Sequence, residues 1–244
     1  MEHPQCDLVM TALKKNCSNC NLRDLCMPIG LSTSELEELD QLVAMRRRIL
    51  KNGHLFRTGD SFNSMYAVKT GTFKTLVNSQ DGSEQVVGFQ MTGEILGLDG
   101  LGTGCHMCNA VALEDSEVCV IPYHTLEHLS QRFQSLQTHF HRVMSREIVK
   151  DQTTMLLLGS MRAEQRLAAF LMNLSERQKA RGFSSTNMVL RMTREEIGSY
   201  LGLKIGTVSR TLSKLQQQGL LKIDQKNVTL VDLLALHGLA KGSH

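Results

Sequence analysis

The chain has 244 residues, 41% of them hydrophobic and 21% charged, with a formal net charge of +3. That length and composition support one large or two ordinary domains with a real core and exclude wholesale disorder. The charge is too small to name a partner by itself. No stretch approaches ~18 uninterrupted apolar residues, and the charged first thirty residues contain no secretion signal, so a cytoplasmic protein without a membrane span is expected.

In chain order, the first feature is "KKNCSNCNLRDLC" at 14–26, which sets Cys17, Cys20 and Cys26 close together. Cys6, Cys105, Cys108 and Cys119 complete a set of seven. An odd number of cysteines without an export signal favours reduced thiols serving metal or redox chemistry over structural disulfides.

Glycine punctuates residues 53–124. Between the glycines lie short segments of β character: "SMYAVKTG", "TFKTLVN" and "SEQVVGFQ". "QDG" at 80–82 is a hairpin turn signal, because Asp and Gly tolerate positive φ. Evenly spaced short strands with turn chemistry predict a β-sandwich or jelly-roll barrel.

The texture changes after Pro122. From Thr125 to about Arg181 there is no proline, and the single glycine is Gly159. Apolar residues recur at spacings of three and four, predicting a long amphipathic helix broken or bent near Gly159, then a second helix through "AEQRLAAFLMNLSERQ". Met144, Ile148, Asp151, Met155 and Leu158 step 4-3-4-3, the seam of a coiled coil. Asp151 is either a solvated helix residue or a carboxylate that opposes its own copy across a two-fold axis, which would make the seam a switch.

"RGFSS" at 181–185 is loop chemistry. "TREEIGSYLGLKIGTVSRTLSKLQQQGLL" at 193–221 then has the pattern of a helix-turn-helix. Thr193 and Glu196 form a capping box that starts a short helix, and Gly202 permits the turn. Val208, Leu212 and Leu215 hold a second helix whose outward positions are Lys204, Gly206, Thr207, Ser209, Arg210 and Lys214. An exposed Arg can pair bidentately with guanine, while Ser, Thr and Lys reach base edges or phosphates. "LLKIDQKNVTLV" reads as a hairpin, the wing of a winged helix. Seven Lys/Arg against three acidic residues between Arg191 and Lys226 add a local positive bias. Double-stranded DNA is the expected partner. The C-terminal "AKGSH" reads as a frayed tail.

A β-roll, a long helix and a winged helix in that order resemble the CRP/FNR superfamily of transcription regulators over nearly the whole chain. The implied fold is α+β: an N-terminal jelly-roll domain of the cyclic-nucleotide-binding kind, a long dimerisation helix and a C-terminal winged helix-turn-helix. The expected domains are a cysteine-rich strap (1–30), the β-roll (31–124), the dimerisation helix (125–160) and the DNA-binding domain (161–244).

In the cyclic-nucleotide branch an Arg after the "GE" turn neutralises the phosphate. Here "GEILGLDGLGTGCHMCNAVALED" contains no Arg or Lys, and none occurs from Thr75 to Gln131. A buried phosphate without a cation is costly, so no cyclic nucleotide is expected.

The cysteines instead resemble the fumarate and nitrate reduction regulator (FNR) family. Its C-x2-C-x5-C is matched by Cys17, Cys20 and Cys26. Its distant fourth ligand, just before an "IP" pair, is matched by Cys119 in "LEDSEVCVIPY". "KDQTTMLLL", "EQRLAAFLMNLS", "GFS" and "LGL…TVSR" echo further family stretches. Four thiolates suit either tetrahedral zinc or an iron–sulfur cluster, and thiols without metal are a third reading. The resemblance implies a [4Fe-4S] cluster lost or converted in oxygen, a homodimer formed at low oxygen, half-sites resembling TTGAT, and RNA polymerase as a further partner, with the β-roll loop near "NSQDGSEQ" as a contact region.

Ile205, Ser209 and Arg210 fit that family, but Gly206 stands where its members usually carry Glu, a cytosine N4 acceptor that glycine cannot replace. "CHMC" at 105–108 adds a second C-x2-C, read as bystander cysteines together with Cys6, or else as extra ligands or a redox dithiol. The rival classes are a regulator of the same fold switched by zinc or a disulfide, and a thiol–disulfide enzyme. The enzyme reading leaves the helix-turn-helix unexplained and shows no general base or pocket signature, so a non-enzyme is expected.

Overall fold

The structure is a computed structural model describing residues 45–79 and 82–242. Cys6, Cys17, Cys20, Cys26 and the turn residues Gln80 and Asp81 lie outside the described residues. The chain divides into two compact units between Met144 and Ser145.

Among its described residues the first unit holds eight strands: β1 (Arg46–Ile49), β2 (His54–Phe56), β3 (Ser64–Thr70), β4 (Thr72–Asn78), β5 (Glu84–Met91), β6 (Ile95–Leu96), β7 (Asn109–Ala112) and β8 (Ser116–Pro122). They form two antiparallel four-stranded sheets, ordered β1-β8-β3-β6 and β2-β7-β4-β5. The expected β-roll is what forms. Ile49, Val68, Leu96 and Val118 of one sheet meet Leu55, Phe56, Phe73, Ala110 and Ala112 of the other in a single buried cluster. This is the alternating inward pattern of a sandwich core. β4 and β5 pair antiparallel on either side of the "QDG" segment.

Helix α1 (Tyr123–Arg132) and helix α2 (Gln134–Ser160) follow. The helical stretch after Pro122 is therefore two helices, not one. Phe133 leaves helical geometry at φ −115 and ψ 101, and its ring joins Met65, Leu126, Leu129, Leu136 and Phe140 in a second apolar cluster. The other interruption falls at Met161–Arg162, after Gly159, which still lies within α2. Arg166 explains the position. Its Nε donates to the carbonyl of Met161 at 2.8 Å and its Nη2 to that of Leu158 at 2.8 Å, satisfying carbonyls that a helix end leaves open.

The second unit contains α3 (Ala163–Lys179), β9 (Asn187–Val189), α4 (Arg194–Leu201), α5 (Ile205–Gln217), β10 (Leu221–Asp224), β11 (Asn227–Leu230) and α6 (Leu233–Lys241). Leu167, Leu171, Ile197, Leu201, Val208, Leu215, Leu221 and Leu236 are buried here, each contributing about 2 kcal/mol of transfer free energy. The capping box forms: the Thr193 N–H donates to Glu196 Oε2 at 2.7 Å, and the Glu196 N–H donates to Thr193 Oγ1 at 3.1 Å. Gly202 closes α4 at φ 62, where a side chain would be strained.

Two elements escape the sequence reading. Strand β9 extends the wing to three strands in the order β10-β11-β9. Ala240 and Lys241 of the supposed tail belong to α6, which Asp232 caps through the Ala235 N–H at 2.9 Å.

Candidate functional site

Helix α5 presents one polar face. Val208, Thr211, Leu212 and Leu215 point into the core. Lys204, Ile205, Gly206, Arg210 and Lys214 are exposed, and Thr207 and Ser209 are half-buried. Of the residues expected to meet DNA, Ile205, Gly206, Thr207, Ser209 and Arg210 thus share the N-terminal and central turns of one helix, and Lys214 lies in its last turn. The tight turn before it depends on Gly198, where an added Cβ would lie 2.5 Å from the Leu203 carbonyl oxygen. The wing is tied back to α5 by the Ile223 N–H donating to Gln216 Oε1 at 2.9 Å. No added Cβ at Gly206 would meet anything within 4 Å, so its small size answers no packing need in this unit.

Arg162, Glu164, Thr207, Arg210 and Lys214 line a cleft of about 710 Å³ beside the helix. Lys214 is not an independent cation there, because its Nζ lies 2.5 Å from Glu164 Oε1 at the start of α3.

Arg166 was not singled out from the sequence. Besides its two bonds at the end of α2, its Nη1 donates to the Leu201 carbonyl at 2.9 Å, the C-terminal end of α4. One guanidinium therefore joins the last turn of α2 to the first helix of the helix-turn-helix motif. Thr154 Oγ1 and Tyr200 Oη, 3.1 Å apart, make a second link between the same two helices. A basic residue inside the apolar run "EQRLAAF" was the available signal.

On α2, Ile148 is 57% and Met155 72% exposed, with Asp151 exposed between them. Val149 and Leu156, one residue further on, are also exposed. Met144 and Leu158 are half-buried. Four large apolar side chains in two pairs seven residues apart make an uncovered apolar stripe around a carboxylate.

Cys119 lies on β8, in register with Arg46 of β1 and Ala67 of β3. It is half-buried, and alternation puts it on the face opposite the core residue Val118, the face that carries Ile121 and the Arg46–Glu117 ion pair. The Met45 carbonyl accepts from the Val120 N–H at 3.0 Å, so β1 begins beside Cys119. Cys17, Cys20 and Cys26 lie outside the described residues, and among the described residues no three His, Cys, Asp or Glu side chains form a metal-holding group.

Cys105 is exposed, while Cys108 is buried and donates its S–H to Asp99 Oδ2 at 3.4 Å. Burial and the neighbouring Asp99 carboxylate push the Cys108 thiol far above the usual range. A reactive dithiol needs a depressed pKa, so the geometry disfavours a redox role for "CHMC".

Residues 46–133 match the family model of the cyclic nucleotide-binding domain, and residues 165–239 that of the Crp-like helix-turn-helix domain. A β-roll followed by helices and this DNA-binding unit defines a transcription regulator of the CRP/FNR class. The chain is 44% identical over 228 residues to the transcriptional activator protein Anr of Pseudomonas protegens, covering 93% of each chain. It is 42% identical to the fumarate and nitrate reduction regulatory protein of Salmonella typhimurium, covering 92% of this chain and 90% of that one. Among solved structures it resembles FixK2 from Bradyrhizobium japonicum at a TM-score of 0.74 and 28% identity, covering 80% of this chain and 96% of the other. The chain belongs to the FNR-type family of transcription regulators. Among the described residues no helix is long and apolar enough to cross a membrane.

Proposed function

We propose that this regulator responds to oxygen through a [4Fe-4S] cluster held by Cys17, Cys20, Cys26 and Cys119. It binds palindromic TTGAT-like sites as a homodimer at low oxygen, in the cytoplasm, to control genes of anaerobic respiration. The names of its relatives support the physiological setting, since they speak of a transcriptional activator and of fumarate and nitrate reduction. The observation that carries the reading is the location of Cys119, a half-buried thiol on the outer face of β8 beside the point where the amino-terminal chain joins β1. Four thiolates are a suitable donor set for such a cluster. When bound, the cluster supplies an oxygen-labile link between the 1–30 strap and β8.

The chain's own residues supply the rest. Ile148 and Met155, with their exposed neighbours, offer the apolar area for a two-fold contact, and Asp151 sets a charge against its copy in the middle of it. The contact is therefore weak enough to be decided by what happens at the strap. Arg166, bonded to both α2 and α4, couples the position of that helix to the DNA-reading unit. Arg210 and Ser209 read bases, RNA polymerase is the partner at the promoter, and neither catalysis nor cyclic-nucleotide binding is part of the function.

Anaerobically purified protein should be brown, contain about four irons per chain, and lose both colour and dimer on exposure to air. Single Cys→Ala changes at 17, 20, 26 and 119 should each abolish iron binding, while changes at 6, 105 and 108 should not. Colourless protein that is dimeric in air and regulated by zinc or by a disulfide supports the alternative signal on the same fold.

A further inference from the structure

The Asp99 carboxylate is unusually well supplied with donors. It lies in a 3-10 turn (Leu98–Gly100) between β6 and β7. Its Oδ2 accepts from the backbone N–H groups of Met107 at 2.7 Å and Cys108 at 3.2 Å, and from the Cys108 thiol at 3.4 Å. Its Oδ1 lies 3.3 Å from His106 Nδ1. Successive backbone N–H groups converging on one point form an anion-binding concavity. Here the point is filled by an oxygen of the chain itself.

The flanks of the cradle are held by contacts other than Asp99. The His106 ring is 2% exposed, stacked on Phe56 at 3.7 Å and met edge-on by Phe62 at 5.6 Å. Its backbone is fixed by the Gly59 N–H donating to the His106 carbonyl at 2.8 Å and by the His106 N–H donating to the Asp60 carbonyl at 2.9 Å. The next strand is held by the Thr58 N–H donating to Asn109 Oδ1 at 2.9 Å. These bonds hold the chain on either side of Met107 and Cys108, whose N–H groups face Asp99. The segment lies inside the region matched by a cyclic nucleotide-binding domain, a description that names an anionic ligand, and it carries no Lys or Arg from Thr75 to Gln131.

We propose that residues 106–108 form an oxyanion cradle that this chain fills with its own Asp99 carboxylate, closing the β-roll to external anions at that point. The class of ligand it would otherwise take is a small oxyanion, a carboxylate or phosphate group. Asp99 thereby makes the domain's structure independent of a soluble anionic ligand. The inference rests on the β-roll alone and stands whether or not the protein holds a cluster.

The test uses the full chain, wild type and Asp99→Ala, with thermal unfolding followed in rising sodium formate and, separately, inorganic phosphate. Ionic strength is kept constant with chloride. Asp99→Ala should unfold at a lower temperature and recover by about 4 °C or more as formate fills the vacated cradle, while the wild type moves only by the general salt effect. Alkylation of Cys108, located by peptide mapping, should be about tenfold faster in Asp99→Ala and slow again in formate. A variant as stable and as unreactive as the wild type overturns the proposal. So does one that is destabilised and labelled but answers formate and phosphate no more than the wild type, which would make Asp99 a packing residue. Should Asp99→Ala fail to accumulate, the near-isosteric Asp99→Asn decides: faster Cys108 labelling supports the charge as occupant, and wild-type labelling overturns it.

Discussion

Lys214 of the recognition helix is paired with Glu164 at the start of α3, Nζ to Oε1 at 2.5 Å. The pair is half exposed, so it adds little to stability. Its consequence is for binding, because a lysine engaged by a carboxylate must exchange that partner for a phosphate. Glu164→Gln should therefore tighten binding to all duplex sequences about equally, steepen the salt dependence by about one counterion, and leave unfolding within ~0.5 kcal/mol of wild type. Fluorescence anisotropy on specific and scrambled duplexes over a salt series measures both. An unchanged salt slope would show that Lys214 does not reach the backbone.

Gly206 offers the opposite case, a position where a contact can be added. It is exposed, and a side chain there meets nothing within 4 Å. Gly206→Glu should stabilise α5 by about 0.5–1 kcal/mol and restore a cytosine acceptor. Selection from randomised half-sites should then show preference at one G·C pair sharpened by about 1–3 kcal/mol.

Arg166 bonds to the carbonyls of Leu158, Met161 and Leu201. Each is a hydrogen bond from a charged group, and losing all three should destabilise the protein by about 3 kcal/mol or more. Arg166→Lys cannot reproduce the planar fork and should recover less than half of that. Urea unfolding of Arg166→Ala and Arg166→Lys tests the ranking. A lysine variant as stable as wild type would mean that one bond carries the effect.

The stripe on α2 makes a pair of opposed predictions. Asp151→Ala should stay dimeric in air, and Met155→Glu should stay monomeric without oxygen, both read by sedimentation. The first removes a like-charge clash and the second adds one to an apolar contact. An Asp151→Ala protein that still dissociates in air would take this residue out of the switch.

At pH 8.5, iodoacetamide should label Cys105 and spare Cys108. Burial and the Asp99 carboxylate hold the Cys108 thiol above its usual range, so raising the pH within the protein's stable range gives little thiolate there. Trypsin leaves both cysteines in one peptide, 75–132, so fragment-ion masses within that peptide give the ratio.

The elements with a strong periodic or turn signature were legible from the chain alone. The capping box at Thr193 and Glu196, the turn at Gly202 and the β4–β5 pairing depend on neighbours within a few residues, and local chemistry decides them. Strand β9 was not legible because three residues of "NMV" become a strand only when β11 lies alongside. Helix α6 carries local end signals, Asp232 at its start and Gly242 at its end.

By itself the sequence determined the order of folds, the polar face of the recognition helix and the spacing of the cysteines, all properties of residues near one another along the chain. Only the tertiary structure decided that Lys214 is held by Glu164, that Arg166 joins α2 to α4, and that Asp99 fills the 106–108 cradle. The physical reason is that each of these is a charge meeting donors or acceptors that folding brings together. Residue type states what a side chain can bond, and packing selects the partner.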